Sequence, residues 1–355
     1  MARDLDSKQT IKDIDRFDFC QILLDLPEQC VRAYTIGASK TIPENFRDFK
    51  NVVFSGLGGS AIGGDLIRSY LAGESKIPII INRNYGLPEF VDDQTLLFVS
   101  SYSGNTEETL QAYEEGRKRA SRIIVVASGG RLAEFAQRDG TPLVKILPGL
   151  PPRAAIGYSF FPALAILTKL GITVDKSSEI QEAIRVLQGL RESLSPEAKL
   201  GDNRAKQIAL AIWGKFPFIY GSNDFFDVVT TRWRTQLAEN SKQLCSTHIF
   251  PEMTHNEIVG WVNPPDLIKN FVVIILRDRA DHPRIARRMD ITHSIIKEMA
   301  SEVIEVWSKG EGLLARIYSL IYIGDFLSFY LAVLNGVDPT PVERIDYLKR
   351  ELGKA

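Results

Sequence analysis

From about residue 50, short apolar runs rich in Val, Ile, Leu and Phe alternate with longer stretches whose apolar positions recur every three or four residues. Runs of the first kind lie at 51–55, 77–82, 95–100, 122–127 and 143–147. They are too uniformly apolar to present a wet face, so they read as strands buried on both sides, with the stretches at 58–71 and 107–119 as covering helices. The order strand, turn, helix predicts a parallel sheet. A helical segment at 14–35 precedes it.

After the fifth run comes PGLPPRAA, an apolar helix at 158–170 and an amphipathic one at 178–194. The alternation then restarts, with strands at 218–220, 270–276 and 302–307 separated by GSNDFFDVVTTRWRTQLAENSK and RDRADHPRIARRM. The fold class expected is α/β, with two doubly wound parallel-sheet domains flanked by helices. The boundaries expected are an N-terminal domain with its helical extension at 1–160, a helical connection at 161–200, a C-terminal domain at 201–335 and a tail at 336–355. A cleft between two such domains is the default place for a small ligand.

Composition narrows the possible ligands. A chain of 355 residues that is 45% hydrophobic can fill two cores. Its 43 basic residues balance 44 acidic ones, leaving a net charge of -1. No overall field therefore favours nucleic acid or an anionic membrane, and an anionic ligand needs a local site. Cys20, Cys30 and Cys245 form no C-x-x-C and none sits beside a histidine, which suits a reducing cytosol. The start, MARDLDSKQTIKDID, has no apolar core, and no uncharged apolar run reaches the roughly 20 residues of a spanning helix. The expectation is a cytoplasmic protein with no membrane segment.

Two turns carry chemistry. GLGGSAIGGD follows the first strand and opens a helix, so its amides, Gly59 among them, can converge on an anion. Gly56 to Ala61 also fits the dinucleotide pattern G-x-G-x-x-G/A. The acidic residue that would hold a ribose is missing after the second strand, which ends in Asn82-Arg83-Asn84, and only an NADP enzyme using Arg83 keeps that reading open. No P-loop occurs. The second turn, SYSGNTEET after the third strand, adds Ser101, Ser103 and Thr106 to the Ser60 of the first. Both turns would lie at the C-terminal edge of the sheet, where neutral donors and a helix N-terminus suit one phosphate group. N-capping by Asn105 or Thr106 explains one of these hydroxyls but not all.

These turns resemble the sugar isomerase (SIS) fold, in which a Ser/Thr-rich loop binds the phosphate of a phosphosugar. The later stretches PPRAAIGYSF, LAENSKQ, THNEIVGW and VDPTPVERIDYLK resemble the bifunctional phosphoglucose/phosphomannose isomerase family. The resemblance implies interconversion of glucose 6-phosphate and mannose 6-phosphate with fructose 6-phosphate through an enediolate. It also implies a base, a ring-opening shuttle and a fixed positive charge. By that resemblance Glu239 is the base, although a lone glutamate at the end of a helix otherwise reads as a surface residue. His255 opens the ring and comes from the neighbouring subunit of a homodimer, Arg153 after Pro151-Pro152 stabilises the enediolate, and Lys349 assists ring opening from a tail folded over the site. Arg153, His255 and Lys349 thus count as substrate-binding as well, with Gly59, Ser60, Ser101, Ser103 and Thr106.

His248, His255, His282 and His293 show no metal-ligand spacing, so neither metal nor cofactor is expected. Glu257, Asp65 and Arg83 read as orienting or packing residues, and Trp213, Trp233 and Trp261 as core or interface. A non-catalytic phosphosugar-binding regulator would use the same hydroxyl loop, although no DNA-binding module accompanies it. The choice between glucose and mannose depends on groups near C2. Thr340 is a candidate there that no pattern in the sequence places.

Overall fold

Each apolar run becomes a parallel strand in the computed structural model, which describes residues 2–223 and 225–354. The chain begins with α1 (Lys8–Ile14), α2 (Phe19–Leu24) and α3 (Leu26–Ser39), where the pattern predicts one helix over 14–35. The break has a local cause. The Asp15 carboxylate accepts hydrogen bonds from the Phe19 and Cys20 amides at 2.8 Å each, which caps the start of α2 and stops α1.

Next come β1 (Asn51–Ser55), α4 (Gly58–Leu71), β2 (Ile79–Asn82), β3 (Thr95–Ser101), α5 (Glu107–Lys118), β4 (Arg122–Ala127), α6 (Gly130–Arg138) and β5 (Leu143–Lys145). α7 (Ile156–Lys169) and α8 (Ser177–Leu194) follow. The later part holds α9 (Arg204–Ile212), β6 (Phe216–Ser222), α10 (Asp227–Asn240), β7 (Ser246–Phe250), α11 (Pro265–Ile268) and β8 (Phe271–Arg277). It ends with α12 (Pro283–Ile296), β9 (Glu302–Trp307), α13 (Leu313–Asn335) and α14 (Glu343–Leu352).

The chain divides into two compact units, one of residues 25–185 and one joining the residues before 25 to those from 186 onward. The boundary thus differs from the expected 160 and 200. In the first unit α7 packs on α3 and α4. Gly37 allows the close approach, because a Cβ there would come within 2.5 Å of Pro162 Cα. In the second unit α1 and α2 pack on α13.

The sheet of the first unit has the order β2-β1-β3-β4-β5, all parallel. Every residue of β3 is buried, and Phe54 on β1 stacks on Phe98 of β3 with ring centroids 4.6 Å apart. From β1 the chain winds outward to β2 and then returns on the other side to β3. The ends of β1 and β3 therefore form a topological switch point, where ligands of such sheets bind. The sheet of the second unit, β7-β6-β8-β9, is wound in the same sense.

β7 and α13 are the clearest elements to escape the pattern reading. β7 lies at an edge of its sheet and only Phe250 is fully buried, so no apolar run announces it. α13 is the opposite case. Its residues from Leu314 to Leu334 are all buried, with α9 and α10 packed against it. A helix apolar on every face shows no helical period. By length and composition α13 could cross a membrane, but here it is the central helix of its own unit. Its two charges are paired, Arg316 with Asp278 at 2.9 Å and Asp325 with Arg232 at 2.6 Å.

Candidate functional site

The two Gly- and Ser-rich turns meet at the switch point of the first unit. Gly56 permits this, since a Cβ there would lie 2.7 Å from the Ser100 carbonyl oxygen. The Ser60 hydroxyl accepts a hydrogen bond from the Tyr102 amide at 2.9 Å, tying the turn after β1 to the turn after β3. Leu57 stands at the N-cap of α4 and has no side-chain acceptor; its carbonyl accepts from the Ser60 amide at 3.1 Å and the Ala61 amide at 3.4 Å, so the anion-binding character of this turn rests on the Gly58 and Gly59 amides that precede them.

Thr106 stands at the N-cap of α5, yet among the described residues its hydroxyl pairs with Ser101 Oγ at 2.9 Å rather than capping the helix. N-capping thus does not account for it. Ser101 Oγ also accepts from the Gly104 amide at 3.1 Å. Ser103 is exposed and its hydroxyl accepts from the Asn105 amide at 3.3 Å. Gly104, at φ 72°, is packed so that a Cβ would lie 1.8 Å from the Gly129 carbonyl oxygen, which leaves no room for another residue.

Arg153 joins this cluster. It is 4% exposed, in a 3-10 turn at Pro152–Ala154, so it is not a solvated loop arginine. The turn rests on Gly59, where a Cβ would come within 2.5 Å of the Pro152 oxygen. Gln29, buried on α3, fixes the far side: its amide donates to the Ala154 carbonyl at 3.0 Å and accepts from the Gly157 amide at 2.8 Å. Gly59, Ser60, Ser101 and Thr106 therefore sit in one neighbourhood of hydroxyls and helix amides, with the backbone of the Arg153 turn packed against Gly59, chemistry that suits a phosphorylated ligand.

The corresponding turn of the second unit, after β8, is filled by its own carboxylates. Asp281 accepts from the Asp278 amide at 2.9 Å. Asp278 accepts from the Ala280 amide at 2.8 Å and from Arg316 at 2.9 Å. Burial raises the Asp281 carboxyl above its usual range. Such a turn offers no place to a phosphate, although the winding of the sheet is the same.

Glu239, His255 and Lys349 belong to that second unit. Glu239 lies half-buried in the last turn of α10. This helix is bolted to α13: Arg232 makes a bidentate pair with Asp325 at 3.0 and 2.6 Å, and Gln236 donates to Asp325 at 3.0 Å. Trp233 donates to the Leu320 carbonyl and Asn240 to Ser328, both at 2.9 Å. Burial pushes the Asp325 carboxyl upward, against the pull of Arg232 and Gln236. Just past the helix, Lys242 Nζ donates to the carbonyls of Glu239 at 2.7 Å, Asp338 at 3.0 Å and Pro339 at 3.2 Å. It thereby stitches the segment leading to Thr340 to the end of α10.

His255 is exposed at the end of a 3-10 turn. Its neighbours hold the turn: Thr254 Oγ accepts from Arg288 at 2.7 Å, and Asn256 donates to Glu252 at 2.7 Å. Glu257 accepts from the hydroxyl of Tyr220, which in turn accepts from Trp261 at 3.1 Å. Burial, then Glu257, raises the Tyr220 hydroxyl well above its usual range, so it serves as a neutral donor. Glu257 is thus held by the Tyr220 hydroxyl. Asp65 and Arg83 form an ion pair with each other, which engages the arginine an NADP site would need. Trp233 and Trp261 are core, while Trp213 is half-buried.

Lys349 is exposed on α14, a helix that among the described residues buries none of its own. Ile345, Tyr347, Leu348 and Leu352 are exposed there too. Among the described residues no three His, Cys, Asp or Glu side chains gather as a metal site. Gln29, Lys242, Arg232 and Asp325 went unread in the sequence because each acts on a residue far along the chain.

Comparison with known proteins bears on this arrangement. The chain is 46% identical over 330 residues to the bifunctional phosphoglucose/phosphomannose isomerase of Caldicellulosiruptor bescii, covering 93% of this chain and 97% of that one. It is 37% identical over 316 residues to the protein of the same description from Aquifex aeolicus, covering 88% and 93%. Residues 201–352 match the family described as bacterial phospho-glucose isomerase C-terminal SIS domain. A crystal structure of a glucose-6-phosphate isomerase like protein from Thermus thermophilus matches with a TM-score of 0.64 at 20% identity, over 95% of this chain and 97% of that one. That likeness speaks for the fold alone.

Proposed function

The chain belongs to the bifunctional phosphoglucose/phosphomannose isomerase family, and from that premise we propose that it interconverts glucose 6-phosphate and mannose 6-phosphate with fructose 6-phosphate. The observation that carries the reading is the cluster at the β1/β3 switch point, where Ser101 and Thr106 face each other and Arg153 is held over Gly59. The hydroxyls and the first amides of α4 take the phosphate. His255 and Lys349 open the ring by moving a proton between the ring oxygen and O1. Glu239 removes the proton from C2 of the open aldose. The charge left on O1 is held by Arg153, the O2 proton passes to O1, and the proton on Glu239 returns to C1, leaving a ketone at C2.

Glucose and mannose differ only at C2, so both yield the same enediolate. The face on which C2 is reprotonated in the reverse direction decides between them. Thr340, close in the chain to the segment that Lys242 binds beside Glu239, is the residue we propose to influence it. Every proton in this scheme has a side chain or substrate oxygen to carry it, so the reaction is proposed to need no metal or cofactor. The assembly proposed is a homodimer, in which the exposed His255 and the exposed apolar side chains of α14 find a partner.

The test is a coupled assay offering each aldose phosphate to the purified protein with and without a chelator. Equal formation of fructose 6-phosphate in both conditions is expected. Loss of turnover on chelation would overturn metal independence, and absence of turnover in both would overturn the isomerase reading. Thr106→Val removes one hydroxyl aimed at the phosphate and nothing at C1 or C2. It is expected to raise KM about tenfold with kcat nearly unchanged. Steady-state kinetics check this, and a collapse of kcat at constant KM would show that the loop acts in the chemistry.

A further inference from the structure

Tyr102 lies between two of the hydroxyls assigned to phosphate, Ser101 and Ser103, yet its own side chain points elsewhere in the unit. Its ring is largely buried, and its hydroxyl donates to the Leu147 carbonyl and accepts from the Leu150 amide, both at 2.9 Å. Its main chain is equally engaged: the amide donates to Ser60 Oγ at 2.9 Å, and the carbonyl accepts from Ser128 Oγ at 2.6 Å and the Ser128 amide at 3.1 Å. One residue therefore ties together the turns after β1, β3 and β4 and the arch over 147–150.

The arch is what delivers Arg153. Leu150 is followed directly by Pro151 and Pro152, whose rings fix φ, so a displacement at Leu150 is passed on rather than absorbed. Gly149, at φ 99°, is the flexible point of the arch, and the Tyr102 hydroxyl binds on both sides of it. Downstream, Gln29 already holds Ala154 and Gly157. The Arg153 turn is thus clamped at both ends, and the upstream clamp is part of the phosphate loop itself.

We propose that Tyr102 is a positioning residue that links the phosphate loop to Arg153, setting the guanidinium where the enediolate forms. The proposal rests on the role given to Arg153 above. Burial raises the Tyr102 hydroxyl above its ordinary range, so at neutral pH it stays protonated and keeps both hydrogen bonds.

The test is a double-mutant cycle on the full chain with Tyr102→Phe and Arg153→Ala. Phe keeps the ring and the main-chain bond to Ser60, so KM is expected to stay within about twofold while kcat falls about tenfold through misplacement of Arg153. Arg153→Ala alone is expected to lower kcat about a hundredfold or more, and adding Tyr102→Phe to it is expected to cost nothing further. Full kcat in Tyr102→Phe beside a crippled Arg153→Ala would overturn the proposal alone. So would losses that multiply in the double variant, or a loss confined to KM. Full kcat in Arg153→Ala would overturn the role of Arg153 and the proposal with it.

Discussion

Glu239→Gln is expected to lower kcat about a thousandfold in both sugar directions while leaving KM and the fold nearly unchanged, because in the proposed mechanism it removes general-base catalysis and little else. Gln has the shape of Glu and keeps an oxygen able to accept a hydrogen bond, so the half-buried end of α10 has no reason to repack. What it lacks is basicity. The Lys242 bond goes to the Glu239 carbonyl and survives the exchange. A second readout is independent of turnover: in deuterated water the wild-type protein should wash the C2 hydrogen of glucose 6-phosphate into solvent, and the variant should not. Rates within tenfold of wild type in both measurements would remove Glu239 from the chemistry.

Asp325→Ala is expected to cost about 3–5 kcal/mol of stability, since it leaves the Arg232 guanidinium buried without its counter-ion. Arg232 and Asp325 are each about 2% exposed, and Gln236 loses its acceptor in the same step. Urea unfolding followed by circular dichroism reads the loss as a lower midpoint. Replacing both partners, with Arg232→Met and Asp325→Leu, is expected to recover most of it, because the largest part of the penalty is the stranded charge rather than a lost attraction. A loss below about 1 kcal/mol in Asp325→Ala would mean that water or another group reaches Arg232, contrary to the burial of this pair. The pair holds α10, whose last turn carries Glu239, the proposed base.

Much of the architecture is legible in the chain because most of its strands are predominantly apolar. β4 begins and ends where its apolar run does, at 122–127, and β9 coincides with the mixed stretch expected at 302–307. β6 is longer than the run that announces it, since Phe216, Pro217, Gly221 and Ser222 join the sheet through main-chain pairing with β7 and β8. The helix expected over 14–35 breaks because a single carboxylate, Asp15, offers the backbone a better partner than the next helical turn. α13 and β7 mark the limits on either side, the one apolar on every face and the other with Ile249 and Phe250 alone apolar.

The site divides in the same way. The crowding of hydroxyls around Gly104 and the run of glycines after β1 are local facts, and the chemistry of an anion cradle can be read from them without coordinates. Their number suggests phosphate because capping needs only one. That Thr106 faces Ser101 instead of its own helix, that Gly59 carries the Arg153 turn, and that Tyr102 and Gln29 clamp this turn are decided only when distant segments pack. The sequence by itself determined which residues could hold a phosphate and move a proton, because donor type and basicity belong to each side chain. The tertiary structure alone decided that Ser101 meets Thr106 after β3 while the corresponding turn after β8 is filled by its own carboxylates, because that depends on what each turn's own neighbours already satisfy.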